Sequence, residues 1–442
     1  MNSRATLKIN DKNHLEIGGC DAVELSQRFG TPLYVLDEAH VRNMMRTFKT
    51  ALSAYKGECE VLYASKAFSC KAIYSIAKQE DIGVDVVSGG ELYTALSVNF
   101  PAEKIFMHGN NKLANELEFA IDSGVGVIVV DSIDEAILID DICARKNKSQ
   151  TVILRVNPGV EAHTHAFVQT ARTDSKFGFS LADGTAFEMT EKLLALKNVN
   201  FAGYHCHIGS QIFEKQSFTL AVEKMMSFVQ VVKNNLGADV KILNMGGGFG
   251  VYYTDDDPKY TFENYAEYVS LIISKVEELA KAYSLALPKL VIEPGRSIVG
   301  EAGVTLYTVG TIKEIPAVKT YVAIDGGMFD NPRYALYQSK YSVIKANGAN
   351  EPCTQKVSIA GKCCESGDII AVDVALPKVK RGDLIAVLTT GAYNYSMASN
   401  YNRNLIPPVV MVKDGNADYV VKPQTYEDVA RNDVLPEHLK NV

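Results

Sequence analysis

The sequence predicts an α/β chain with an all-β domain attached: a (β/α)8 TIM-like barrel followed by an antiparallel β-barrel or sandwich domain. Two observations carry this. Between residues 59 and 293, eight short apolar runs alternate with stretches of helical spacing, the pattern of a parallel sheet. Eight such units in roughly 250 residues suit a closed barrel better than an open doubly wound sheet. After residue 300, strand-like runs follow one another without helices between them, which reads as antiparallel β-structure.

In chain order, residues 1–36, with ATLKI and TPLYVLD, precede the barrel's count and are expected to join the β domain. The barrel is expected over 37–298. Its strands are CEVLYAS (59–65), IGVDVVS (82–88), KIFMH (104–108), GVIVVD (126–131), TVILRV (151–156), FAGYHCH (201–207), DVKILNM (239–245) and KLVIE (289–293). Residues 159–178, GVEAHTHAFVQTARTDSKFG, form a long polar stretch without a period, as expected of a lid over a substrate. The β domain is expected over 299–442, through VTLYTVGTI, TYVAIDGG, KVSIAG, DIIAVDVAL, LIAVLTTG and VVMVKDGNADYVV. The last run holds Asp414-Gly415, a hairpin turn signal.

Bulk composition removes several function classes. With 442 residues, 47% hydrophobic and 22% charged, the chain has enough apolar material for two cores. A net charge of -7 leaves no basic stripe for a phosphate backbone, so nucleic acid is not an expected partner. There is no run of 18 apolar residues and the N-terminus is polar, so neither a membrane nor secretion is expected, and the cytoplasm is the predicted location. The eight cysteines form no C-x-x-C pair, and no metal is called for. Cys363 and Cys364 stand apart from the others, because GKCCESGD is polar and should be exposed.

Active sites of such barrels form at the carboxyl ends of the strands, and there the residues are rich in function. Strand one ends in Lys66, strand two carries Asp85 and Ser88 with Glu91 beyond, and strand three ends in His108. Strand five carries Arg155 and Asn157, and strand six ends in HCHIGS, with His205, His207 and Ser210. Strand seven runs into GGGFG, and strand eight into EPGR with Glu293, Gly295 and Arg296. Gly246, Gly247 and Gly248 would let backbone N–H groups approach an anion, and Arg296 supplies a charged fork, so a phosphate fits there. A phosphate, a strand-end lysine and a carboxylate together suggest pyridoxal 5'-phosphate. Lys66 would bind it covalently, Glu293 would keep its pyridine nitrogen protonated, and His207 could lie flat against its ring.

The ordered set YASKAF, DVVSGGEL, HGNNK, HCHIGSQ, GGGFG, EPGRS, DGGMFDNPRYALY, GKCCESGD and GAYNYSMASNYN resembles the fold-type III pyridoxal phosphate-dependent decarboxylases, and within them the diaminopimelate decarboxylases. The resemblance runs over almost the whole chain. It implies that Lys66 binds the cofactor, with Asp85 beside it, His207 on the ring and Glu293 at the ring nitrogen. Ser210, Gly246, Gly247, Gly248, Gly295 and Arg296 would surround the phosphate, and Tyr393 would meet cofactor and substrate. Arg296, Arg333, Tyr337 and Glu365 would bind an amino-acid substrate, with Arg333 and Tyr337 at a distal carboxylate.

The resemblance also places Cys364 and Glu365 in the site of the opposite subunit of a homodimer, with Cys364 as proton donor. Cys363 stands where the family carries a larger residue, which leaves two adjacent thiols to choose between. The implied reaction is decarboxylation of meso-2,6-diaminopimelate to L-lysine. A decarboxylase for another amino acid, or a racemase, is the nearest alternative. A metal-dependent barrel hydrolase built on His205-x-His207 and a non-catalytic cofactor carrier are further ones.

Overall fold

The computed structural model describes residues 7–160 and 176–440. The chain divides into two compact units, Met1–Ala39 with Glu301–Val442, and His40–Gly300.

The second unit is a closed parallel barrel. Its strands are β1 (Cys59–Ala64), β2 (Gly83–Val86), β3 (Ile105–Met107), β4 (Val127–Val130), β5 (Gln150–Asn157), β6 (Val199–His205), β7 (Ile242–Asn244) and β8 (Lys289–Ile292). Each pairs with the next in parallel, and β8 returns to β1 with Val291 opposite Glu60, which closes the ring. All eight predicted runs are strands, trimmed or shifted by a few residues. Leu62, Phe106, Val129, Ile153, Ala202 and Val291 meet inside as one buried apolar cluster. A fully buried Leu or Phe contributes about 1.5–3 kcal/mol, so this layer is a core and not a channel.

The outer helices follow from period and caps. In Phe262–Ala282 the buried residues Tyr265, Tyr268, Val269, Ile272, Ile273, Val276 and Ala280 recur at three- and four-residue steps, one stripe of a 3.6-residue helix. The helix opens at Thr261, whose N–H donates to Asn264 Oδ1 at 2.9 Å. Ser88 and Glu91 have the same kind of local duty. Ser88 Oγ accepts from Glu91 N, and Glu91 Oε2 accepts from Val87 N, a reciprocal cap on the helix Gly89–Leu96.

The first unit is built on a nine-stranded sheet. Its path runs Ile369–Leu376, Gln355–Ala360, Lys319–Ile324, Gly303–Ile315, Leu33–Asp37, Val409–Lys413 and Asn416–Val421. Leu384–Leu388 also pairs with Gly303–Ile315, and with Val343–Lys345. Asp414 and Gly415 make the predicted hairpin turn, with φ of 49° and 78°.

The sheet is mainly antiparallel, as predicted, with two parallel pairings. Leu33–Asp37 pairs antiparallel with Gly303–Ile315 but parallel with Val409–Lys413, and Lys319–Ile324 pairs parallel with Gln355–Ala360. These parallel neighbours are far apart in sequence, so no hairpin dictates their direction. Short helices also occur here, Ala22–Phe29, Arg333–Tyr337 and Tyr426–Ala430. Most of the predicted lid, with His163 and His165, lies outside the described residues.

Candidate active site

At the carboxyl end of the barrel, β1 passes into a short turn, Ser65–Ala67, that carries the half-buried Lys66. Ser65 donates its hydroxyl to the carbonyl of Asp85 and so ties this turn to β2. The Lys66 charge acts on Asp85, Glu91, His108 and His207, so one lysine faces groups from three other strand ends. Gly295 lies directly against β1, where a Cβ would come within 2.7 Å of the Ala64 methyl.

Glu293 directly follows β8 and is 5% exposed. Its Oε1 accepts from His108 Nε2 at 2.8 Å and from Asn244 Nδ2 at 2.7 Å, and Oε2 lies 3.3 Å from His205 Nε2. Burial alone would raise this carboxyl, but the charge and hydrogen bonds of the two facing histidines outweigh it and hold it well below the usual range. Burial drives His205 down to about 3 and lowers His108 too. The Glu293 carboxylate is thus met at Oε1 by hydrogen bonds from His108 and Asn244 and at Oε2 by the nearby His205 ring. Asp85 behaves oppositely. Burial and the Glu293 charge push it up to about 8, and its Oδ1 has no hydrogen-bond partner among the described residues.

The glycine loop follows β7. Gly246 and Gly248 have φ of 66° and 104°, and a Cβ on Gly247 would sit 2.1 Å from the Glu293 carbonyl oxygen, so only glycine fits. Gly246 N donates to Asn244 Oδ1 at 2.9 Å, and Gly247 N donates to His207 Nδ1 at 3.3 Å, which leaves the ring proton on Nε2. His207 is half-buried, and its pKa is well below normal, from desolvation first and then the Lys66 charge, so the ring is neutral. Arg296, 6% exposed, points its guanidinium at Ser210 Oγ (2.9 Å from Nη2) and the Tyr253 hydroxyl (2.5 Å from Nη1).

These residues fit pyridoxal phosphate. A guanidinium, a hydroxyl and a side-chain-free loop converge where a phosphate would lie. An ionised carboxylate matches a protonated ring nitrogen, a neutral imidazole matches a ring face, and an unsatisfied buried carboxyl stands in the field of the lysine. The H-x-H metal pair is not formed, because His207 turns to the glycine loop while His205 faces Glu293. His108, His205 and Glu293 do bring one ligand atom each within 4.8 Å of one another. There, however, N–H donors converge on the carboxylate, the opposite of what a cation requires.

In the other unit, the helix Arg333–Tyr337 carries a buried Arg333 whose Cζ lies 5.6 Å from the ring centroids of both Tyr337 and Tyr393. Tyr393 has φ of 62°. The loop 361–368 carries Cys363, Cys364 and Glu365. Asp368 Oδ2 accepts from Cys363 N and its Oδ1 from Met328 N, both at 2.6 Å, which joins this loop to the one leading to Arg333. Cys364 and Glu365 are exposed and Cys363 half-buried, so the predicted exposure belongs to Cys364. Burial, then Asp368, pushes the Cys363 thiol up to about 12.

Sequence reasoning missed Asn244, Tyr253 and Asp368. Asn244 stands two residues before the glycine run and could have been read as a strand-end residue, whereas nothing local marks Tyr253.

Comparison with known proteins gives the fold and site a family. The model of the pyridoxal-dependent decarboxylase, pyridoxal binding domain, matches residues 38–300. The diaminopimelate decarboxylase of Bacillus subtilis is 50% identical over 429 residues, 97% of either chain. The chain belongs to the diaminopimelate decarboxylase family of pyridoxal-dependent decarboxylases. Solved relatives extend over both units. The M. jannaschii diaminopimelate decarboxylase with L-lysine superposes with a TM-score of 0.91 at 36% identity, covering 99% of this chain and 100% of the other. The Helicobacter pylori enzyme complexed with L-lysine gives 0.84 at 29%, covering 93% and 98%.

Proposed function

We propose that this protein decarboxylates meso-2,6-diaminopimelate to L-lysine and CO2 with pyridoxal 5'-phosphate as its cofactor. The observation that carries the reading is the similarity to diaminopimelate decarboxylases across 97% of the chain, which includes the segments bearing Arg333 and Cys364.

Lys66 would hold the cofactor, with Arg296, Ser210, Gly295 and the glycines Gly246, Gly247 and Gly248 at its phosphate. When bound, the cofactor supplies an electron sink for the electron pair left on Cα as CO2 departs. The ionised Glu293 would keep the ring nitrogen protonated, and His108 and Asn244 hold its carboxylate in place. The neutral His207 can lie against the ring at no electrostatic cost. Asp85, which carries its proton to about pH 8, can hold or release one beside Lys66.

The far end of the substrate distinguishes it from lysine and ornithine, because it carries a second carboxylate. Arg333 offers a fork for that group, Tyr337 and Tyr393 offer hydroxyls, and Glu365 can take the distal ammonium. Cys364 would protonate Cα. Cys363 is the poorer acid, since a thiol pushed to about 12 gives up its proton reluctantly near neutral pH. Cys364 and Glu365 would serve the barrel of a second copy, so the working unit is a homodimer. All eight cysteines are free, which supports a reducing, cytoplasmic setting.

The test is incubation of purified protein and cofactor with a panel of amino acids, followed by mass analysis. Lysine and CO2 in equal amounts from meso-diaminopimelate, with little product from ornithine or lysine, is the expected result. Borohydride reduction and peptide mapping should put the pyridoxyl group on Lys66, and an adduct on another lysine would refute the site.

A further inference from the structure

Cys364 sits on an exposed loop, yet a proton donor must reach one atom from one direction. The hydrogen bonds around it supply the constraint. Its own backbone N–H donates to Asn402 Oδ1 at 2.9 Å, and the N–H of the preceding residue, Cys363, donates to Asp368 Oδ2 at 2.6 Å. The peptide groups on either side of Cys363 are therefore pinned by different side chains. Glu365 N closes back on the Cys363 carbonyl at 2.8 Å, which fixes the next peptide as well.

The turn that supplies Asn402 touches all three loop residues. Tyr401 Oη lies 3.5 Å from Glu365 Oε2, and Asn404 Nδ2 lies 3.7 Å from Cys363 Sγ. Asn402 and Arg403 adopt φ of 52° and 57°, a left-handed conformation that asparagine tolerates better than most residues and arginine does not favour. The turn is tied from behind. Arg403 donates to the Val429 carbonyl and to Asp433, both at 2.9 Å, and Asn400 Nδ2 donates to the Asn404 carbonyl and to Gln424 Oε1, both at 2.7 Å. Two consecutive non-glycine residues at positive φ, held by chain from 424 to 433, present the asparagine amide to the Cys364 loop.

We infer that Asn402 is a positioning residue for the reaction, orienting Cys364 through its backbone N–H while Asp368 fixes Cys363. The inference rests on the proton-donor role proposed for Cys364. Because the Asn402 contact is exposed, its loss should cost little stability, so its effect can be read on the thiol alone.

The experiment uses the holoenzyme with Asn402→Gly, which keeps the positive φ and removes the acceptor, and Asn402→Asp, which keeps an acceptor oxygen. Kinetics with meso-diaminopimelate are paired with the rate at which iodoacetamide alkylates Cys364, followed by peptide mass mapping with Cys363 as internal reference. Asn402→Gly should lower kcat about 10-fold with KM within about twofold, since a displaced donor impairs a step after binding. It should also change the Cys364 alkylation rate at least about threefold, with cofactor absorbance and Tm unchanged. Asn402→Asp should restore both readouts. Wild-type kcat and alkylation in Asn402→Gly would overturn the inference, and so would an Asn402→Asp enzyme as impaired as the glycine variant. Wild-type turnover by Cys364→Ala would overturn the proton-donor role and this inference with it. Loss of turnover in Cys364→Ala with no effect of Asn402→Gly overturns the inference alone.

Discussion

Arg333→Ala is the most discriminating change available, because Arg333 is assigned to the part of the substrate that sets diaminopimelate apart from lysine. Arg333 is 6% exposed, its guanidinium lies over the Tyr337 and Tyr393 rings, and Nη2 donates to Ser339 Oγ at 3.3 Å. A cation so shielded from water makes a strong pair with an arriving carboxylate, on the order of 2 to 4 kcal/mol, which converts to roughly 30- to 1000-fold in kcat/KM. The ring contacts contribute a further ~0.5–2 kcal/mol to the fold, so Tm should fall by a few degrees without loss of structure. The assay is steady-state kcat/KM for meso-diaminopimelate and for L-lysine, which lacks the distal carboxylate. Arg333→Ala should depress the first by the stated factor and leave the second nearly unchanged. Arg333→Lys should fall between, since it keeps charge but loses the fork. A loss of less than about threefold on diaminopimelate, or an equal loss on both substrates, would refute the assignment.

Mixing inactive Lys66→Ala with inactive Cys364→Ala, after dissociation and reassociation, should restore up to about a quarter of wild-type activity, because half of randomly paired dimers are mixed and carry one intact site. No recovery despite demonstrated exchange would count against shared sites. A third prediction concerns Asp330, buried, donated to by the Tyr307 hydroxyl and Gly327 N, and pushed up to about 7 by burial. Between about pH 4 and 7 the folded state then binds a proton that the unfolded chain has released, so this contribution is full below about pH 4, falls as pH rises, and is gone above 7. Relative to wild type, Asp330→Asn should gain on the order of 4 kcal/mol across that window, measured by urea unfolding at each pH. A difference independent of pH would show that Asp330 is ionised throughout.

The barrel was legible in the linear sequence because its signals are local. A buried parallel strand reads as a short apolar run and its helix as a 3.6-residue stripe, and eight repetitions leave little choice of closure. The strand-end positions of Lys66, His108, Glu293 and the glycine run followed from the same count. What pairs with what did not follow. Nothing near Leu33–Asp37 says that it lies parallel to Val409–Lys413, nearly four hundred residues away, because strand direction there is set by packing and not by a turn. Similarly, the sequence offers Ser88, Glu91, His205 and His207 as equivalent polar residues. Only the fold turns the first two into a helix cap, aims His205 at Glu293, and gives His207 to the glycine loop. The choice between Cys363 and Cys364 is of the same kind. Adjacent in sequence and identical in chemistry, they differ because burial first, and then the Asp368 carboxylate held at Cys363 N and Met328 N, raises the Cys363 thiol, while Cys364 is exposed. Composition and period report what each residue is, while burial and charge environment depend on neighbours that only the folded chain brings together.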